Sequence, residues 1–319
     1  MTKILVGCCS WADKSLVQES DFYPRGAKTS EERLRYYSSQ FPIVEVDSSY
    51  YAIPELRTAG QWVERTPSDF TFDIKAFRAF TGHRTPLKAL PLHLQTDAQS
   101  AAKRAANVYY KNLPQDLRHE LWRCFAEALL PLDSAGKLGA VIFQFPPWFY
   151  PSRENRDHIL HCRSLLPAQF SMAVEFRHHS WLEEKGRERT LAFLRENGLS
   201  FVCVDAPQGF KSSLPPLAET TSDAVALVRF HGRNAETWEK SAASSAERFD
   251  WYYRDEELEE WLPKVSHLAE HSREVHLLLN TNRFDQGPVN ARRLAALLTR
   301  HGLSPQPAET DREQGRLEL

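Results

Sequence analysis

The chain has 319 residues, 42% of them hydrophobic and 26% charged, which supplies a sizeable core and excludes wholesale disorder. Lys and Arg total 40 against 42 Asp and Glu, and the net charge of -2 excludes a global field of the kind that gathers DNA or anionic lipid non-specifically. No run approaches the roughly 18 apolar residues of a membrane span, and the apolar opening of MTKILVGCCSWADK is too short for a secretory leader.

Strand one is predicted over residues 4–8 and is followed by the amphipathic stretch SEERLRYYSSQF. Strand two, 43–47, leads into LRTAGQWVERT, and strand three, 70–75, into a long insertion, 76–114, that carries Arg78, His83, Arg84, Lys88, His93, Lys103, Arg104 and Lys111. The helical pattern PQDLRHELWRCFAEALLPL precedes strand four at 139–144, SRENRDHILHCRSLL precedes strand five at 171–176, and LEEKGRERTLAFLREN precedes strand six at 200–204. The crossover 206–223 has no helical period. After strand seven, 224–230, comes a second irregular segment, 232–253, with Arg233, Trp238, Trp251, Tyr252 and Tyr253. DEELEEWLPKVSHLAEHS, strand eight at 275–280 and VNARRLAALLTRH complete the series.

Strands alternating with helices predict parallel βαβ units, and eight of them predict closure. The expected fold is α/β: one (β/α)8 TIM-type barrel over 1–303, with long loops after strands three and seven, and a polar tail over 304–319 that contains Pro305 and Pro307 and is expected to fray. An open doubly wound sheet is the alternative, but no Gly-rich turn follows strand one to support a nucleotide site. Cys8, Cys9, Cys124, Cys162 and Cys203 are odd in number and lack CxxC spacing. They are expected as reduced, mostly buried thiols in a cytoplasmic protein.

Residues two apart in a strand share a face, and polar groups collect on one parity. Glu45 and Asp47 share a face in strand two, as do Thr71, Asp73 and Lys75 in strand three, Glu175 and Arg177 in strand five, and Arg229 and His231 in strand seven; Gln144, Asp205 and Asn280 end strands four, six and eight. Asp73, two positions before a strand exit, is expected to be structural. The others lie where barrel enzymes place their sites, and ionisable groups there must pair with one another or with a ligand. A purely internal salt-bridge layer is the competing account, since Glu45, Asp47, Glu175 and Asp205 are offset by Lys75, Arg177, Arg229 and Arg233.

The blocks MAVEFRHHSWLEE, GAVIFQFPPWF, VALVRFHGR, IVEVDSSYYAIP and NTNRFDQGPVNARRL resemble the YecE-like family, domain of unknown function 72, over nearly the whole chain. The resemblance implies a (β/α)-barrel and picks out Trp11, Glu45, Ser48, Tyr51, Pro54, Lys75, Gln144, Pro146, Glu175, Arg177, Ser180, Trp181, Arg229, His231, Gly232, Arg233, Asn280 and Asn290. The family's activity is not established, so the resemblance supplies a fold and no reaction. Three departures stand out. The family's Gly-Thr-Ser-Gly run before Trp11 is here Gly7, Cys8, Cys9 and Ser10; Asp47 replaces a more usual Asn; and an adjacent Asn pair is split into Asn280 and Asn282 by Thr281.

Three function classes follow. The first is an enzyme acting on a small anionic or hydroxyl-rich substrate, a phosphate ester or sugar acid, without metal or cofactor. Glu45 or Glu175 is the expected base, Lys75 or His231 the acid or electrostatic stabiliser, and Arg177, Arg229 and Arg233 an anion clamp. Gln144, Asp205, Asn280 and Asn282 would add polar contacts, and Trp11, Tyr51 and Trp181 either stacking walls or core. The second is a metal-dependent barrel enzyme of endonuclease or isomerase type, with Glu45, Glu175, Asp205 and His231 around a divalent ion. The third is a nucleic-acid-binding module using the basic insertion, against which the slightly acidic net charge argues. No membrane partner is expected, and oligomeric state is open.

Overall fold

The computed structural model describes residues 2–101, 105–240 and 244–308. Eight parallel strands close into a barrel in sequential order: β1 (Lys3–Cys8), β2 (Ile43–Val46), β3 (Thr71–Lys75), β4 (Leu138–Gln144), β5 (Ser171–Glu175), β6 (Ser200–Asp205), β7 (Val225–Phe230) and β8 (Glu274–Leu279), with β8 pairing β1. Each lies within a residue or two of its expected place.

The outer helices are α1 (Ser30–Gln40), α2 (Leu56–Glu64), α3 (Leu92–Ala101), α4 (Gln115–Ser134), α5 (Arg153–Leu165), α6 (Glu184–Glu196), α7 (Asp255–Glu259), α8 (Leu262–Glu270) and α9 (Gln286–Arg300). Local chemistry fixes several ends. A reciprocal Thr29–Glu32 capping box starts α1, and the Ser152 hydroxyl accepts from the Asn155 amide at the start of α5. The single helical pattern over 255–272 is divided into α7 and α8 because Pro263 has no N–H to continue the ladder and its ring disfavours the preceding turn. None of the helices among the described residues is long and apolar enough to cross a membrane.

The insertion after β3 is a small layer of its own rather than a loose loop. It contains α3 and a two-residue antiparallel pairing of Thr85–Pro86 with Asn107–Val108, and it is pinned by buried Phe80 stacked 3.9 Å from Trp122 of α4. Lys103 and Arg104 lie outside the described residues. At the other end of the chain, Ser304–Ala308 is laid against the barrel: Gln306 N donates to Ile4 O at 2.7 Å and Ala308 is buried. The strand edge of β1 thus captures the start of the segment expected to fray, and the rest of the tail lies outside the described residues.

Deep in the barrel, Asp73 is structural, as expected. Its carboxylate accepts from His276 Nδ1 at 2.9 Å and from the Ala140 amide at 2.6 Å, while His276 Nε2 meets Glu274 at 3.0 Å. Gly139 makes room, since a Cβ there would sit 2.3 Å from the Asp73 carboxylate. Burial pulls the His276 pKa down, but Asp73 and Glu274 outweigh it and hold the group up at about 9. A folded-state pKa above the unfolded value means that the stabilisation is complete below about 6.5 and disappears as pH rises through about 9. Urea denaturation should therefore lose up to about 3 kcal/mol across that window. His276→Gln, less stable throughout, should lose most of that slope; an unchanged slope would assign the titration to another group.

Candidate functional site at the mouth of the barrel

Inward parity carries Glu45, Glu175 and Arg229 to one point near the C-terminal ends of the strands. Arg229 Nε and Nη2 donate to the two oxygens of Glu45 at 2.8 and 2.7 Å, and Nη1 donates to Glu175. Cys9 Sγ donates to Glu45 at 3.1 Å, and Gln144 Nε2 to Glu175 Oε1 at 2.6 Å. His231 Nε2 lies 3.0 Å from the same oxygen, and its Nδ1 lies 2.9 Å from Asn280 Nδ2. Burial, only partly offset by Glu175, lowers the His231 pKa to about 4. The ring is therefore neutral, donating through Nε2 to Glu175 and accepting from Asn280. Glu175 is held well below the usual carboxylate range: burial opposes ionisation, but Arg229, His231 and Arg177 outweigh it.

This arrangement corrects three expected roles. Arg229 is 1% exposed and Glu45 and Glu175 0%, so the arginine is spent on two carboxylates and does not present a free fork to an anion. The same pairing leaves neither glutamate available as a base, and both His231 nitrogens are engaged. These groups form a floor beneath the mouth.

Above that floor lie cations with unfilled donors. The Lys75 ammonium has no hydrogen-bond partner among the described residues and rests 5.0 Å from the Tyr50 ring. Arg78 packs against the same ring at 5.1 Å. Arg177 lies 3.7 Å from Glu175 and 4.6 Å from the Trp238 ring. The Nε atoms of Arg78, Arg177 and Arg248, and Nε1 of Trp238, are buried without a partner. These groups crowd one another: burial and then Lys75, Arg78 and Arg177 hold the His83 pKa down at about 3. Burial, with Arg229 and Arg248 opposing Glu175, lowers Arg177 to about 10. Lys75 is likewise lowered, by burial first and Arg229 second. Buried donors of one sign with no acceptor are costly unless a ligand supplies one.

A carboxylate pair borders this cationic group. Burial raises Asp47 to about 6, with Lys75 pulling it down and Glu45 pushing it up. Asp13 is raised to about 8 by burial and by Asp47. Asp13 follows Ser10, whose φ of 114° lies in the left-handed region that favours glycine; the resembled family carries Gly at this position. Tyr51 and Trp148 stand exposed nearby, Trp148 5.8 Å from His83.

Several expected members lie elsewhere. Asp205 is in register with outward-facing Phe230, so its side chain leaves the barrel on the far side. There it accepts from Arg233 at 3.0 and 2.7 Å, from Tyr253 Oη at 2.7 Å and from Trp261 Nε1 at 2.7 Å. Arg233 also pairs with Glu260, so neither residue faces the mouth. The four groups considered for a divalent ion, Glu45, Glu175, Asp205 and His231, consequently do not converge. Trp181 is core, stacked 4.1 Å from Phe176 and donating to Phe149 O; Trp11 is also core, edge-on to Trp62. Asn282, in the loop after β8, donates through Nδ2 to Ser245 Oγ of the segment after β7. The segment after β7 folds over the mouth through Trp238. It is anchored at Gly232 (φ 80°), where a Cβ would meet Trp251 at 2.6 Å, and at Asn290, which accepts from the Tyr253 amide.

Asp13, Arg78, Trp238 and Arg248 were not picked out as site residues by strand parity, because none lies within a strand. The signal available for Asp13 was its position just past the exit of β1. A cavity of about 700 Å³ lies beside the mouth between the insertion and α5 and includes Tyr109, Arg118, Trp148 and His158.

Comparison with known proteins agrees with this architecture. The family model described as "Protein of unknown function DUF72" matches residues 5–314. UPF0759 protein YunF of Bacillus subtilis (strain 168) is 32% identical over 298 residues, 92% of this chain and 94% of that protein. Crystal structures of DUF72 family proteins from Enterococcus faecalis V583 and Thermotoga maritima MSB8 superpose with TM-scores of 0.76 and 0.71 at 27% and 29% identity. They cover 96% and 93% of this chain, and the matches span 98% and 99% of their own chains. With the family model spanning almost the whole sequence and a relative of this identity matching nearly end to end, the chain belongs to the DUF72 family of proteins of unknown function.

Proposed function

We propose that the protein is an enzyme that binds a small anionic, hydroxyl-bearing substrate, a phosphate monoester or sugar acid, in the barrel mouth and acts on it by acid–base chemistry. The observation that carries this reading is the convergence of Lys75, Arg78 and Arg177 with their donors unfilled, beside two carboxylates of raised and unequal pKa. Guanidinium and ammonium donors suit phosphate or carboxylate oxygens. Asp47, ionised above about pH 6, suits a general base, and Asp13, protonated below about pH 8, a general acid. Because the two interact, those values belong to the pair. Exposed Tyr51 and Trp148 offer faces for the apolar side of a sugar ring.

The reading requires no metal in the mouth, since Glu45 and Glu175 are committed to Arg229. The test is a panel of phosphate, sugar phosphates and sugar acids titrated against the protein, followed by melting temperature and binding heat. At least one should stabilise the fold, and turnover of that compound should be greatest between about pH 6 and 8, falling on both sides. If no anion shifts the melt, or if Asp47→Asn and Asp13→Asn leave turnover and its pH profile unchanged, the reading fails.

A further inference from the structure

Away from the mouth, the insertion after β3 brings a histidine to the face of α4. His93, in the first turn of α3, places Nε2 3.2 Å from Glu120 Oε1 and 3.9 Å from Cys124 Sγ, and Cys124 Sγ lies 3.7 Å from the same glutamate oxygen. Glu120 and Cys124 are one helical turn apart on α4 and so share a face. The three ligand atoms therefore form a nearly equilateral triangle. Tetrahedral zinc, with bonds of about 2.3 Å to sulfur and about 2.0–2.1 Å to nitrogen or oxygen, sets its ligand atoms roughly 3.3–3.6 Å apart.

We infer that His93, Glu120 and Cys124 form a binding site for Zn²⁺ or a similar borderline-soft divalent ion, with a fourth position open to water or another small ligand. Imidazole, carboxylate and thiolate together suit zinc and not magnesium or calcium, which prefer all-oxygen shells. His93 and Cys124 line a cleft of about 450 Å³ together with Pro54, Leu56 and Arg123, which would give a small fourth ligand access. Arg123 now shares itself between Glu120 and Glu127. It would keep its two bonds to Glu127 when a metal takes the Glu120 oxygen. The ion would tie the insertion, through His93, to the barrel's outer layer. Cys124 is suited to this among the five cysteines because the other four are buried. Binding must displace the thiol proton, so affinity should rise with pH. The site shares no residue with the mouth, and the inference stands independently of the proposed activity.

Cobalt(II) is the probe, added to the full-length protein under a non-thiol reductant. One equivalent should bind with a thiolate-to-cobalt charge-transfer band, and zinc should displace it. Cys124→Ser should abolish the band, and His93→Ala should weaken binding on the order of a hundredfold; both side chains are at least partly exposed, so both variants should fold with an unchanged melt in metal-free buffer. The exposed group His267, Glu270 and His271 is the competing site, and His271→Ala should leave the band unaltered. Absence of a thiolate band in the wild type, its survival in Cys124→Ser, or undiminished affinity in His93→Ala would overturn the assignment.

Discussion

Replacing Arg229 with methionine should cost about 3–5 kcal/mol of folding stability, the largest single effect expected in this chain, because it leaves two buried carboxylates facing each other without their cation. Glu45 receives two of the arginine's hydrogen bonds and Glu175 a third. Among the described residues no other cation reaches both: Lys75 donates to neither, and Arg177 stands 3.7 Å from Glu175 alone. The deficit should depend on pH in a defined direction. In the wild type the depressed pKa of Glu175 contributes stability that is present above about 4.5 and lost as pH falls through the folded value. In the variant the folded pKa of Glu175 must rise, because its principal cation is gone, so stability is lost as pH increases. The gap between the two proteins should therefore narrow from pH 7 toward pH 5 in urea melts. The triple variant Arg229→Met, Glu45→Gln, Glu175→Gln should recover part of the loss at neutral pH. A deficit that is small and independent of pH would show that the floor is not held by this ion network.

Lys75→Met should do the reverse, weakening anion binding roughly ten- to hundredfold with the melting temperature equal to or above that of the wild type. The lysine's pKa is lowered by burial and by Arg229, so folding disfavours its charge and the methionine removes that cost. A merely structural cation would behave oppositely, since its loss would strand Glu45 and Asp47. Arg177→Met should follow Lys75→Met in binding. Its Nε is buried without a partner, and burial already depresses the group. The Asp47 carboxyl gives a second readout: Lys75 is the largest influence holding it down, so its titration, followed by carboxyl carbon NMR, should move above about 6 in Lys75→Met. Unaltered anion affinity in both variants would remove the cationic wall from the mechanism.

These two results separate groups that look alike in sequence. Arg177 and Arg229 both end inward-facing positions near strand exits, and both stand two residues from another polar group. One guanidinium is saturated and structural; the other is held beside a single carboxylate and keeps an unfilled donor.

The sequence by itself determined the barrel. Eight short apolar runs alternating with helical periods admit few arrangements, and the period of two within each strand placed Glu45, Lys75, Glu175, Arg229 and His231 on one interior face. It also determined that Asp73 would be structural, although not that His276 would be its partner 203 positions away. Tertiary structure alone decided which charges neutralise one another. The reach of a guanidinium across the barrel joins β7 to β2 and β5, a pairing that strand order does not specify. It decided Asp205 as well: at a strand end the side-chain face is set by register with Phe230 of the neighbouring strand. Asp13, Arg78, Trp238 and Arg248 lie in connections without periodicity, and their place at the mouth follows only from how Ser10, Gly232 and the packed insertion turn those loops over the barrel.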